Sequence, residues 1–239
     1  MRGFIFYRGQ SPIDGAPIVG IAVTRSTNRK TGNMVQTYIL RADMHPLDAI
    51  KLREDVSICG HCVHRGSKLL GRERTCYVNV GQSVSSVYKA FLRGSYPDMT
   101  HDMDHAASIL RGRKVRLGAY GDPAMIPHVV WYALLSQCDG WTGYTHQWRF
   151  SWAIAMRELV MASVESVSEH DTARSIGWRT FRVHTGDDLQ RHEFTCPASD
   201  EGGKRTTCSS CLACDGALKP SAASVAIKVH GVMARHFAV

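Results

Sequence analysis

Seven of the chain's eight cysteines fall into two groups, and no other feature constrains the fold so tightly. The first group is Cys59-x2-Cys62-x13-Cys76 and the second is Cys196-x11-Cys208-x2-Cys211-x2-Cys214. Only Cys138 stands apart, beside an apolar helical segment, where a small buried hydrophobe is expected. The N-terminal run Met1–Arg8 has too short an apolar core for a secretory signal, and no stretch approaches the length of a membrane span. A reducing cytoplasm is therefore expected, where thiols stay free and grouped thiols serve metals.

The second group carries the sharper chemistry. Thiols two residues apart on a tight loop converge on one ion or one face of a cluster. The run Cys208-x2-Cys211-x2-Cys214 has the spacing of ferredoxin-type cluster loops, with Cys196, followed by Pro197, as a remote fourth ligand. A Cys-x2-Cys knuckle also serves zinc. Two consecutive two-residue gaps favour an iron–sulfur cluster, with zinc as the alternative. The first group offers three thiolates, Cys59, Cys62 and Cys76. Three on a four-iron cube leave one iron open, and three on zinc leave a position for His61, His64 or water. A closed four-thiolate site reads as structural or electron-transferring, and an open three-thiolate site as catalytic.

Along the chain, residues 1–35 read as strand-poor and turn-rich, punctuated by Gly9, Pro12, Asp14-Gly15 and Thr31-Gly32. They form an N-terminal extension, 1–33. Met34–Leu40 reads as the first buried strand, and Pro46–Arg53 as a helix with Leu47, Ile50 and Leu52 inward. Residues 59–76 have no helical period. Helices are expected over 83–93, 103–110, 126–137 and 168–176, the last closed by Gly177. Strands are expected over 114–119, 141–145, 159–163, 180–184 and 224–229. This alternation predicts an α/β fold with a parallel sheet over 34–190, followed by a cysteine-rich segment and last strand over 191–239. The carboxyl ends of the strands are polar, at Gly121-Asp122, Tyr144-Thr145-His146, Ser163 with Glu165, and His184, and such ends are where sites form.

A net charge of +8 favours a polyanion such as nucleic acid as partner. Arg25, Lys30, Arg111, Arg113 and Lys114 are the candidate contacts, and Tyr144, Trp148 and Trp178 could stack on bases, with core packing the competing role for the tryptophans. The chain has no Gly-x-Ser-x-Gly elbow, no Gly-Lys-Ser/Thr phosphate loop and no His-Glu-x2-His helix.

Taken together, several segments resemble radical S-adenosylmethionine enzymes, and more closely cysteine-rich phage and prophage proteins akin to them. They are the three-cysteine loop with Tyr77 directly after its last cysteine, Arg116–Pro123, Gly143–His146, Val160–Ser166, Gly177–Val183 and Cys196-Pro197-Ala198 with Cys208, Cys211 and Cys214. They span roughly residues 34–230. The resemblance implies a partial or full (β/α) barrel in the cytoplasm of a host bacterial cell. It implies a four-iron cluster (4Fe-4S) on Cys59, Cys62 and Cys76, with S-adenosylmethionine on the open iron and a reductant as partner. Tyr77, Gly121, Asp122 and Ser163 would contact that cofactor, and Asp122, His146 and Glu165 would position cofactor or substrate for catalysis. Cys196, Cys208, Cys211 and Cys214 would hold a second, auxiliary cluster. The family's usual loop is Cys-x3-Cys-x2-Cys, so this chain departs from it by its thirteen-residue gap.

Overall fold

A computed structural model of the chain describes residues 1–67, 69–186, 188–217, 222–231 and 234–237. They form a mixed α/β fold with two five-stranded sheets. The chain divides into two units, one of Met1–Thr27, Asn33–His61 and Val78–Trp141, the other of Asn28–Gly32, Cys62–Tyr77 and Thr142–Val239.

In the first unit the strands are β1 (Gly3–Gln10), β2 (Pro17–Val23), β3 (Val35–Arg41), β4 (Lys114–Tyr120) and β5 (Gly140–Thr142), side by side in that order. β1 and β2 are antiparallel, as are β2 and β3, whereas β3 and β4 run parallel. Residues 1–35 are therefore not strand-poor. The turn signals belong to a hairpin, whose turn is closed by Gly15 N–H donating to Ser11 O and Ala16 N–H to Asp14 Oδ1. Gly15 supplies the left-handed backbone there (φ 72°). Phe4, Phe6, Ile18 and Ile21 are buried, so this hairpin is core rather than extension. The helices are α1 (Pro46–Leu52), α2 (Val56–Cys59), α3 (Ser85–Leu92), α4 (Met103–Ile109) and α5 (His128–Leu135). In α1 the buried residues are Pro46 and Ala49, while Leu47 and Leu52 are exposed, contrary to the inward face expected of them.

In the second unit β6 (Tyr144–Thr145), β7 (Met161–Val164), β8 (Thr180–His184), β10 (Ser224–Lys228) and β9 (Glu193–Thr195) lie side by side in that order. Every pairing between them is parallel. The stretch 141–145, expected as one strand, is two, because β5 and β6 belong to different sheets. α6 (Val167–Ser175) makes the crossover from β7 to β8. Its start is capped by Ser166, whose hydroxyl accepts from Glu169 N–H, while the Glu169 carboxylate accepts in return from Glu165 N–H. Its end is turned by Gly177 (φ 85°), with Trp178 N–H donating to Ala173 O. α7 (Cys208–Cys211) is a single turn in the cysteine-rich loop. Among the described residues neither sheet closes on itself.

The period-two alternation of the second sheet divides it cleanly. Tyr144, Met161, Phe181, Val183, Val225 and Ile227 face a cluster that contains Cys196, Cys208 and Cys214. The alternate residues include Thr180 and Arg182. Thr180 contacts His170 of α6, at 2.7 Å, and Arg182 pairs with Glu193. The carboxyl ends of β6, β7 and β8 share one edge, where His146, Glu165 and His184 are found.

Candidate metal centres

His146 follows β6 and Glu165 follows β7, so parallel pairing of the two strands sets them beside each other. His64 joins them from a tight 3-10 turn at Val63–Arg65. His146 Nε2 lies 3.1 Å from Glu165 Oε1, and His64 Nε2 lies 3.5 Å from the same oxygen. All three side chains are largely buried. Cys62 Sγ adds a contact of 3.7 Å to His146 Nε2. Burial works to raise the Glu165 carboxyl, but the hydrogen bonds and charges of His146 and then His64 hold it far below the ordinary carboxylate range. Burial likewise disfavours the His146 cation, yet the adjoining Cys62 and Glu165 raise its pKa well above that of a free imidazole.

Cys196, Cys208 and Cys214 of the C-terminal group pack against one face of the second sheet. Cys196 and Cys214 are buried, and Cys208 and Cys211 are partly so. Cys196 N–H donates to Ala226 O, which ties the cysteine to β10. Cys214 O accepts from Gly143 N–H, and Tyr144 Oη lies 3.5 Å from its sulfur. Cys208 N–H donates to Lys30 O. Arg179, at the head of β8, fastens the loop beyond: its guanidinium reaches Asp215 Oδ1 at 2.8 Å and the carbonyls of Ala213, Gly216 and Ala223. Burial raises the Cys196 thiol, Lys30 opposes that, and the nearby Cys208 and Cys211 add to it. None of the four is in a disulfide among the described residues. Among the described residues no three cysteine sulfurs lie within 4.8 Å of one another.

The remaining expected site residues are not gathered in one unit. Cys59 ends α2 in the first unit, while Cys62 and Cys76 belong to the second. There, Cys76 N–H donates to His64 O and Arg65 N–H to Cys62 O, which wraps both cysteines around His64. Gly121 and Asp122 belong to the first unit, and Tyr77 and Ser163 to the second. Asp122 is buried as a cap: its carboxylate accepts from Ala124 N–H, and its own N–H donates to Ile58 O. Gly121 (φ 81°) is required by packing, since a Cβ there would come within 2.8 Å of Ile39 O. Tyr77 is exposed beside His230, and the Ser163 carbonyl accepts from Trp148 Nε1. Trp148 and Trp178 are both 1% exposed, so they are core residues and cannot stack on bases, and Tyr144 is stacked on Phe181. Of the basic candidates, Arg113 donates to Thr24 O and Arg111 to Gln137. Cys138 is partly buried, and its thiol donates to Gly140 O at 3.6 Å.

Sequence reasoning missed one group. Glu193 has a fully buried carboxylate held by a two-point contact from Arg182 and by His170 at 3.2 Å.

No helix among the described residues is long and apolar enough to cross a membrane. No protein-family model matches the chain, and neither a curated protein nor a solved structure matches it significantly.

Proposed function

We propose that this protein carries an iron–sulfur cluster on Cys196, Cys208, Cys211 and Cys214 and serves in electron transfer or redox chemistry on a scaffold of (β/α)-barrel type. The observation that supports the reading is the placement of Cys196, Cys208 and Cys214 against one apolar sheet face. The ligand spacing Cys-x2-Cys-x2-Cys with a remote fourth cysteine supports it as well. The surroundings suit a cluster: Met161, Phe181, Val225 and Ile227 exclude water, and Lys30 adds positive charge against thiolates. Exclusion of solvent and hydrogen bonds to sulfur are levers on a cluster's potential, and the Tyr144 hydroxyl near Cys214 is placed to use the second. The parallel pairings and the β7–α6–β8 crossover support the barrel-type scaffold.

Anaerobic reconstitution with ferrous iron and sulfide tests the reading. A broad visible absorption that bleaches with dithionite is expected in the wild type and in Cys138→Ser. Loss of that absorption in Cys208→Ser and Cys211→Ser is expected as well. Colour retained undiminished in both of those variants, or zinc taken up with no sulfide, would overturn it.

A further inference from the structure

The geometry points to a second, separate metal site: a divalent transition cation of the zinc class, held by His64 Nε2, His146 Nε2 and Glu165 Oε1. None of these residues belongs to the four-cysteine loop, so the inference stands or falls apart from the cluster reading.

The three donor atoms lie within 4.8 Å of one another. A tetrahedral ion with nitrogen and oxygen ligands at 2.0–2.1 Å needs donors about 3.4 Å apart. The observed separations are 3.1 Å between His146 and Glu165 and 3.5 Å between His64 and Glu165. Two imidazoles and a carboxylate are a borderline donor set, suited to zinc rather than to calcium or magnesium. The shell behind the donors is also built. His64 Nδ1 lies 2.8 Å from Thr75 Oγ1, which fixes the ring with Nε2 turned to the shared oxygen. Each donor sits on a separate anchored segment, His64 on its 3-10 turn and the other two on the ends of paired strands.

Three protein ligands leave a fourth position. Glu165 also lines a cleft of about 390 Å³ together with Thr75 and Glu169. Water or a small ligand would reach the fourth position from the cleft on the Glu165 side. Cys62 Sγ also touches this group, 3.7 Å from His146 Nε2.

Equilibrium dialysis of the full chain against Zn²⁺, with a competing chelator, tests the site. Glu165→Gln and His64→Gln should each bind one equivalent fewer than wild type, or bind it about 100-fold more weakly. Thr75→Val should weaken the same ion by about 10–100-fold, as loss of an outer partner does. Cys211→Ser should retain it, which separates this ion from anything on the thiolate loop. Wild-type protein that binds no zinc, or Glu165→Gln and His64→Gln variants that bind as wild type does, would overturn the proposal. Should both variants fail to fold, zinc-edge X-ray absorption of the wild type decides. A shell containing nitrogen or oxygen at about 2.0–2.1 Å upholds the site, and a shell of sulfur alone overturns it.

Discussion

Glu193 shows how a single side chain can bind distant parts of the second unit together without leaving a trace in the sequence. Its partners, His170 and Arg182, are 23 and 11 residues away, and only the crossover of α6 and the order of the parallel strands bring them in. Burial pushes its carboxyl up, but hydrogen bonds from His170 and Arg182 outweigh that and hold it down to about 2, against an ordinary value of 4.5. A depressed carboxyl contributes stability that is complete above about pH 4.5 and is lost as the pH falls from there towards 2. Denaturant unfolding at a series of pH values should show that loss in the wild type and a flatter profile in Glu193→Gln. The variant should also be less stable at pH 7 by about 3 kcal/mol, because Arg182 keeps a buried charge without its counter-charge. Gly216 gives a second residue-scale prediction. It has φ 84°, and a Cβ there would lie 2.4 Å from Glu158 O, a backbone atom that cannot swing aside. Gly216→Ala should lower stability by about 1–3 kcal/mol, read from thermal unfolding, and loosen the loop that follows Cys214. At this scale His146 and Glu165 were visible in the sequence as polar strand ends. His64 was visible only as one of two histidines in a loop, because nothing local says which of them turns inward.

Among the elements, Arg179 is a main fastening of the loop beyond Cys214. Arg179 reaches the carbonyls of Ala213, Gly216 and Ala223 and the Asp215 carboxylate from a position that is itself buried. Arg179→Met would strand those acceptors, and a loss of about 3 kcal/mol or more is expected by denaturant unfolding. Metal content per chain should fall with it. Arg179→Lys keeps the charge but not the planar fork, so it should recover only part of either quantity. Helices and inner strands were legible because their apolar residues recur at a fixed period, as in Ser85–Leu92 and Thr180–His184. β1 and β2 were not recognised, because Gly9, Pro12 and Gly15 punctuate that segment so densely. Those residues make and flank a hairpin turn, and the strands are the apolar runs on either side. α1 was misread in its facing: its two leucines are exposed, and the small Ala49 packs where a large residue was expected. A seven-residue helix offers too few turns for periodicity to settle its orientation.

For the whole molecule, alternation of strands and helices was enough to give a mixed α/β fold and a parallel sheet. The division into two units and the splitting of 141–145 between two sheets were not readable, since both depend on which strands pair. The net charge of +8 remained a property of the surface and named no partner, and the buried tryptophans removed one argument for nucleic acid. Of the C-terminal cysteines, Cys196, Cys208 and Cys214 pack against a single apolar sheet face. That convergence makes metal content the property on which the account rests. The most direct test is to purify the full chain without oxygen and assay iron, acid-labile sulfide and zinc on one sample while recording its visible spectrum. The account predicts a brown protein with iron and sulfide in equal amounts, about four of each per chain for a four-iron cluster. A colourless protein with no sulfide and zinc on the thiolates would contradict it.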